Sequence, residues 1–159
     1  MNEQALQAIV DKVVREIKAP QDMTLDIALS LAEKVKAKAA SMGVKAVVAI
    51  SGRAGHPVLV QCMDDSYIAS YDVAVQKAFT VVALKMSTST LKPLAQPGGS
   101  LYGIQFTNGG KIVIFGGGEP LCNRKGEIIG AIGVSGGTAE QDTYLGAFGR
   151  DALKEVLQR

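Results

Sequence analysis

Histidine and cysteine are scarce in this sequence: one histidine, His56, and two cysteines, Cys62 and Cys122, with no C-x-x-C pair. A structural zinc site draws on about four such ligands, so zinc is set aside and no metal is assigned. No apolar run is long enough to span a bilayer, which argues against a membrane protein. The N-terminus is no secretory leader either, because its apolar residues are interleaved with Glu3, Asp11, Lys12, Arg15 and Glu16. Sparse cysteines without an export signal point to a reduced, cytoplasmic compartment. Charge of one sign is not in excess: the formal net charge is +2, and no concentrated basic face marks a nucleic-acid binder. Two phosphate-binding patterns are missing as well. The segment "GVSGGTAEQD" has no lysine to complete a Walker loop, and the glycines at 116 and 118 lack the third glycine and the following helix of a dinucleotide fingerprint.

What is present is a chain of 159 residues, enough for one domain with its own core. Residues 1–17 place Leu6, Ile9, Val10, Val13, Val14 and Ile17 on one stripe of a short amphipathic helix. Such a helix is marginal by itself in water, so the stripe needs a surface to rest on. Residues 18–22 form a linker in which Pro20 discourages further helix.

The body, residues 23–159, opens with a helix that Thr24 caps and Gly43 closes. Its predicted buried face is Leu25, Ala28, Leu31, Ala32, Val35, Ala39 and Met42. "VKAVVAIS" and "HPVLVQCM" then read as a hairpin around "GRAG". A long helix follows, from about Ser66 or Ser70 to Met86, with Asp64 and Asp65 placed to cap it. A short helix interrupted by Pro93 comes next. Three further strands, "KIVIF", "EPLCN" and "EIIGAIGV", precede a last helix from Thr138. The order helix, two strands, helix, three strands, helix with short links predicts an α+β fold with mostly antiparallel pairing.

Two glycine runs stand out, Gly116, Gly117 and Gly118, and Gly136 with Gly137. Three glycines in a row lose more entropy on ordering than one turn requires, so close backbone approach to a ligand, a partner or a neighbouring loop is expected. A phosphate is not favoured at the second run. Thr138 and Gln141 form a capping box there, and Glu140 and Asp142 put two carboxylates into the first turn.

The blocks "QPGGSLYGIQFTNGGKIVIFGGGEPL", "GVSGGTAEQD" and "MDDSYIASYDVAVQKAFTVVALKMST" resemble the GlcG/HbpS family, which includes the C-terminal domain of PduO. The likeness covers about residues 23–157. It implies a profilin-like fold with a five-stranded antiparallel sheet flanked by helices. It also implies homo-oligomers, often octamers, and haem as a ligand in several members. No catalytic residue set carries over. Residues 1–17 resemble the encapsulation peptides of bacterial microcompartment cargo, which implies shell or cargo partners and a place in the microcompartment lumen. The adenosyltransferase domain of PduO has no counterpart here, so cobalamin adenosylation is not implied.

From these readings the expected function is that of a small-ligand-binding accessory protein of a diol, glycerol or glycolate system, with haem or a related tetrapyrrole as ligand. Two alternatives stand beside it: an enzyme acting on a small hydroxy-acid, diol or aldehyde, and a structural cargo protein. The candidate ligand-binding residues are Lys77, Gln96, Ser100, Gly116, Gly117, Gly118, Ser135, Gly136, Gly137 and Thr138. His56 is the candidate haem ligand, although it sits in a turn beside a proline; the histidine that the resemblance associates with the first helix is missing from residues 24–42. Lys77 is expected to pair with Asp72 or another acid.

Overall fold

All six residues of β1 (Val47–Gly52) are buried, so an apolar layer has to cover each face of the sheet that contains it. The computed structural model describes residues 2–17 and 19–158, apart from the side chains of residues 15–17. In it, β1 pairs antiparallel with β2 (Pro57–Cys62) on one side and β4 (Ile128–Ser135) on the other. β3 (Gly118–Cys122) pairs with the far side of β4, giving the order β2-β1-β4-β3.

The period-2 alternation of the strands sorts their side chains between the two covering layers. Val48, Ile50, Ile132 and Val134 face α2 (Leu25–Ser41) and α5 (Ala139–Val156), where they meet Leu31, Val35, Leu145 and Leu153. Val47, Ala49 and Ala131 face α3 (Ile68–Leu84), against Ala74, Ala78 and Val81. Small residues on that second face let α3 lie close to the sheet. A Cβ at Gly133 would collide with the carbonyl oxygen of Ala74.

The caps follow the sequence. Thr24 Oγ1 accepts from the Ile27 N–H, Gly43 has φ +69, and Thr138 and Gln141 make both bonds of the capping box. Ser87 starts the short α4 (Thr88–Leu94), which holds Pro93 in its last turn. Leu25, placed on the buried face of α2 by its spacing, is exposed instead, and Met42 is only half-buried. Asp64 and Asp65 do not cap α3. Tyr67 occupies the N-cap, and Asp65 pairs with Lys45 at 2.9 Å.

The sheet has four strands, not five. Residues 111–115, "KIVIF", are not a strand, although Ile112 and Val113 are buried as a strand pattern would suggest. The reason lies in their backbone partners. Thr80 Oγ1 on α3 accepts from the Val113 N–H at 2.9 Å, while its own proton goes to the Gln76 carbonyl at 2.7 Å, with the Lys111 carbonyl farther off at 3.3 Å. One helix side chain therefore takes the Val113 N–H that a ladder neighbour would have bonded. The residues before 111–115 form two 3-10 turns, Ile104–Phe106 and Asn108–Gly110.

Among the described residues, α1 (Glu3–Ile17) makes no substantial contact with any other element. Leu6, Ile9, Val10, Val13 and Val14 are all exposed, Leu6 to 50%. Ile17's side chain and Lys18 lie outside the described residues. Among the described residues no helix is long and apolar enough to cross a membrane.

Candidate functional site

Helical spacing puts Lys77 on the same stripe of α3 as Ala74, Ala78 and Val81, so the cation is carried into the packed layer with them. Its side chain is completely buried. An unpaired ammonium there would be prohibitive, and three groups answer it. Asp142 Oδ2 lies 2.9 Å from Nζ, Nζ donates to the Val134 carbonyl at 2.7 Å, and the Phe115 ring centroid is 5.2 Å away. Burial still holds the Lys77 pKa below its ordinary value, against the pull of Asp142. Asp142 uses its other oxygen to accept from the Gly137 N–H at 2.9 Å. One carboxylate in the first turn of α5 thus ties α3, the end of β4 and the second glycine run together.

The first glycine run closes on the same cluster. Gly117 has φ +114, and its carbonyl accepts from the Val134 N–H at 2.9 Å. A Cβ there would lie 2.7 Å from both Lys77 Nζ and the Val134 oxygen. A Cβ at Gly116 would strike Thr143 Oγ1, and one at Gly136 the Lys45 carbonyl. At Gly118 the neighbour is Thr88, whose hydroxyl accepts from the Gly118 N–H at 2.9 Å. Ser135 Oγ sits 3.1 Å from Ser70 Oγ in the interior.

The structure therefore brings Lys77, Gly116, Gly117, Gly118, Ser135, Gly136, Gly137 and Thr138 to one end of β4. Gln96 and Ser100 are exposed and share no hydrogen bond or cavity with that cluster among the described residues; the Gln96 amide turns back to the Lys92 carbonyl at 3.0 Å. His56 is exposed in the β1–β2 turn. The register pairs Val47 with Ser135 and Gly52 with Gly130, so the turn lies beyond the opposite end of the sheet, about 17 Å away along β1. Asp72 is exposed, and the acid that meets Lys77 is Asp142, 65 positions along the chain.

Both glycine runs border open space on their outer sides. Gly116 lines a cavity of about 440 Å³ between α4 and α5, with Ser89, Thr143 and Tyr144. Gly136 and Gly137 line a cleft of about 270 Å³ with Lys45, Tyr67 and Gln141. That cleft shares Gly43, Val44 and Lys45 with a groove of about 700 Å³ along the end of α2. Ala37, Ala40 and Val44 give the groove an apolar lining, Cys62 and Met63 supply sulfur, and its two lysines are already paired, Lys36 with Glu33 at 2.7 Å and Lys45 with Asp65 at 2.9 Å, while Asp64 adds a further carboxylate. No short-range signal in the sequence joins these residues, because the antiparallel pairing of β1 with β2 is what sets Cys62 opposite Val47.

A second buried acid, Glu119 on β3, bonds the half-exposed Arg150 at 2.9 Å. Burial raises its pKa and Arg150 pulls it back. Neither it nor Lys77 lines any of these spaces.

Residues 23–149 match the family model described as "Haem degrading protein HbpS-like". Over 134 residues the chain is 42% identical to the "Uncharacterized 15.0 kDa protein in dhaT-dhaS intergenic region" of Citrobacter freundii, covering 84% of this chain and 94% of that protein. It is 41% identical over 105 residues to the corrinoid adenosyltransferase PduO of Salmonella typhimurium, covering 66% of this chain but 31% of that enzyme. Among solved structures, a PduOC:heme complex superposes with a TM-score of 0.78 at 34% identity, covering 82% of this chain and 94% of that one.

Proposed function

The chain belongs to the HbpS-like family, and from that premise we propose that it is an accessory protein that binds a small flat anionic ligand, haem or a related tetrapyrrole. The observation that carries the reading is the groove along the end of α2. Its apolar lining suits a macrocycle, and Cys62 and Met63 offer soft donors to iron; Lys36 and Lys45 meet carboxylate side groups by exchanging Glu33 and Asp65 for them. Cys62 is exposed and free, whereas the Met63 sulfur accepts from the Ala46 N–H at 3.4 Å, so Cys62 is the better donor. His56 does not fit the role, since its exposed turn offers no apolar wall. Haem bound here would supply a redox-active iron; Ala37, Ala40 and Val44 would shelter the macrocycle and Cys62 would hold the iron. Gly136 and Gly137, on the adjoining cleft, allow the ligand's edge to approach the backbone.

Titration of the full-length protein with haem, followed at the Soret band, tests this reading. Saturation near one haem per chain or per subunit pair is expected, with the band moved by Cys62→Ala and unmoved by His56→Ala. A spectrum equal to that of free haem at every ratio would remove the tetrapyrrole reading.

A second reading concerns assembly, and the exposed stripe of α1 favours it. We propose that this helix docks the protein on microcompartment shell or cargo in a helix-in-groove mode, which would place it in the lumen. Deleting residues 1–20 then abolishes co-assembly, and retained co-assembly would refute the idea. Self-association into homo-oligomers, an octamer by family resemblance, is supported by the apolar side chains that the body leaves outside, Tyr67, Ile68, Tyr102 and Phe106.

A further inference from the structure

At the end of the sheet away from Lys77, three separate elements each deliver one cation to a single cavity of about 480 Å³. Arg53 comes from the β1–β2 turn, Lys85 from the C-terminal cap of α3, and Lys125 from the β3–β4 turn. Val82 and Ile128 give the cavity an apolar wall. One acid, Glu127, also lines it, but its Oε2 already accepts from the Asn123 amide at 2.8 Å. Lys85 and Lys125 enter no ion pair among the described residues. The Arg53 guanidinium has one long bond, 3.4 Å to the Gln21 carbonyl.

Lys85 carries a second sign. Its φ of 56 and ψ of 35 place it in the left-handed region, the helix-ending position where glycine is the usual occupant. A residue with a Cβ costs about 1 kcal/mol there. From that strained point the Lys85 side chain lines the cavity.

We propose that this cavity is a binding site for a small, multiply charged anion, a phosphate monoester or a di- or tricarboxylate. Three exposed cations against the one carboxylate of Glu127 leave this concave space with a net positive charge, which concentrates anions from solution. A dianion between the three cations offsets that charge and gains charge-assisted hydrogen bonds, bidentate ones from Arg53 included. The volume falls within the usual range of small-molecule sites, about 300–1,000 Å³. The site lies at the opposite end of the sheet from the α2 groove and does not depend on haem binding.

Calorimetric titration of the full-length protein with inorganic phosphate, phenyl phosphate and citrate tests the proposal, and the preferred probe tells phosphate from carboxylate chemistry. One saturable site per chain is expected for at least one of them. Lys85→Gly removes a charge and relieves the strained φ, so it should weaken binding roughly tenfold without lowering the thermal midpoint. Lys125→Gln should act in the same direction, and the haem titration should be unchanged in both. No binding of any of the three anions, or affinities that neither substitution alters, would overturn the proposal.

Discussion

Lys77 and the stripe on α1 invert the usual distribution of side chains in opposite ways. Lys77 is a charge with no exposure at all, and Leu6, Ile9, Val10, Val13 and Val14 are aliphatic residues left in water. Lysine is almost never fully buried unless paired, and here the pairing is internal: Asp142, the Val134 carbonyl and the Phe115 ring lie within the same fold. The stripe has no such internal answer among the described residues, where α1 makes no substantial contact with another element and these five side chains are exposed. The first inversion concerns how the domain holds itself together, and the second leaves an apolar face that the described residues of the body do not cover. Substitutions at the two places should therefore fail in different assays.

The largest expected effect comes from leaving half of the buried pair behind. Lys77→Ala or Asp142→Ala strands an uncompensated charge and should cost about 3–5 kcal/mol, read as a lowered urea midpoint. The double variant Lys77→Met with Asp142→Leu should recover part of that loss, since a buried pair can be exchanged for apolar packing with little net change. Recovery will be incomplete, because the Gly137 N–H also loses its acceptor. If the single variants unfold at the wild-type midpoint, the clasp does not hold the domain together.

Next in size is Gly117→Ala. Its φ of +114 and the collision of a Cβ with the Val134 oxygen predict a loss of about 1–3 kcal/mol. Gly126, with φ +80 but open space around it, is the control, at about 1 kcal/mol. Equal losses at the two positions would show that backbone conformation alone, and not closeness to Lys77, decides the effect.

The pH dependence of the clasp is a smaller and more specific readout. Desolvation holds the folded Lys77 pKa below its ordinary value of 10.5. Between those two values the unfolded chain binds more protons than the folded one. The residue's contribution to stability therefore rises with pH across that window and is level below it. Urea midpoints measured through the alkaline range should show this rise as a difference between wild type and Lys77→Met, and parallel curves would mean that Lys77 titrates normally.

The sequence made much of the closed region legible, because caps, hairpin and core periodicity are local signals. Thr24, Gly43, Thr138 and Gln141 each announce a helix end with a mechanism that acts over a few residues. The fifth strand was misread because "KIVIF" has strand composition, while its Val113 N–H goes to Thr80, more than thirty positions earlier, and no window of sequence contains that pairing. For the same reason Lys77 could be singled out and its partner could not. The groove that unites Cys62, Lys45 and Gly43 and the cavity that unites Arg53, Lys85 and Lys125 are products of strand order. Single lysines in turns read as solvated surface until the turns are brought together. Gln96 and Ser100 join the candidate residues on the expectation that their loop lies near the glycine runs, and the described residues show no hydrogen bond or shared cavity between them.

Removal of α1 should give the smallest effect on stability, and that near-absence of effect is the sharpest contrast with Lys77. Deleting residues 1–17 leaves Pro20 in place, whose carbonyl accepts from the Asn123 amide at 3.1 Å, so the anchor of the linker on the β3–β4 turn is kept. The body should then unfold within about 0.5 kcal/mol of the intact chain, as surface changes away from packed features do. The full chain with Leu6→Lys and Val13→Lys should match the truncation in any capture or co-assembly assay, since each lysine interrupts the stripe that would enter a groove. A marked drop in the unfolding midpoint on truncation would mean that the stripe rests on the domain or on a sister subunit in solution, and the contrast between an internally answered charge and an externally answered helix would dissolve.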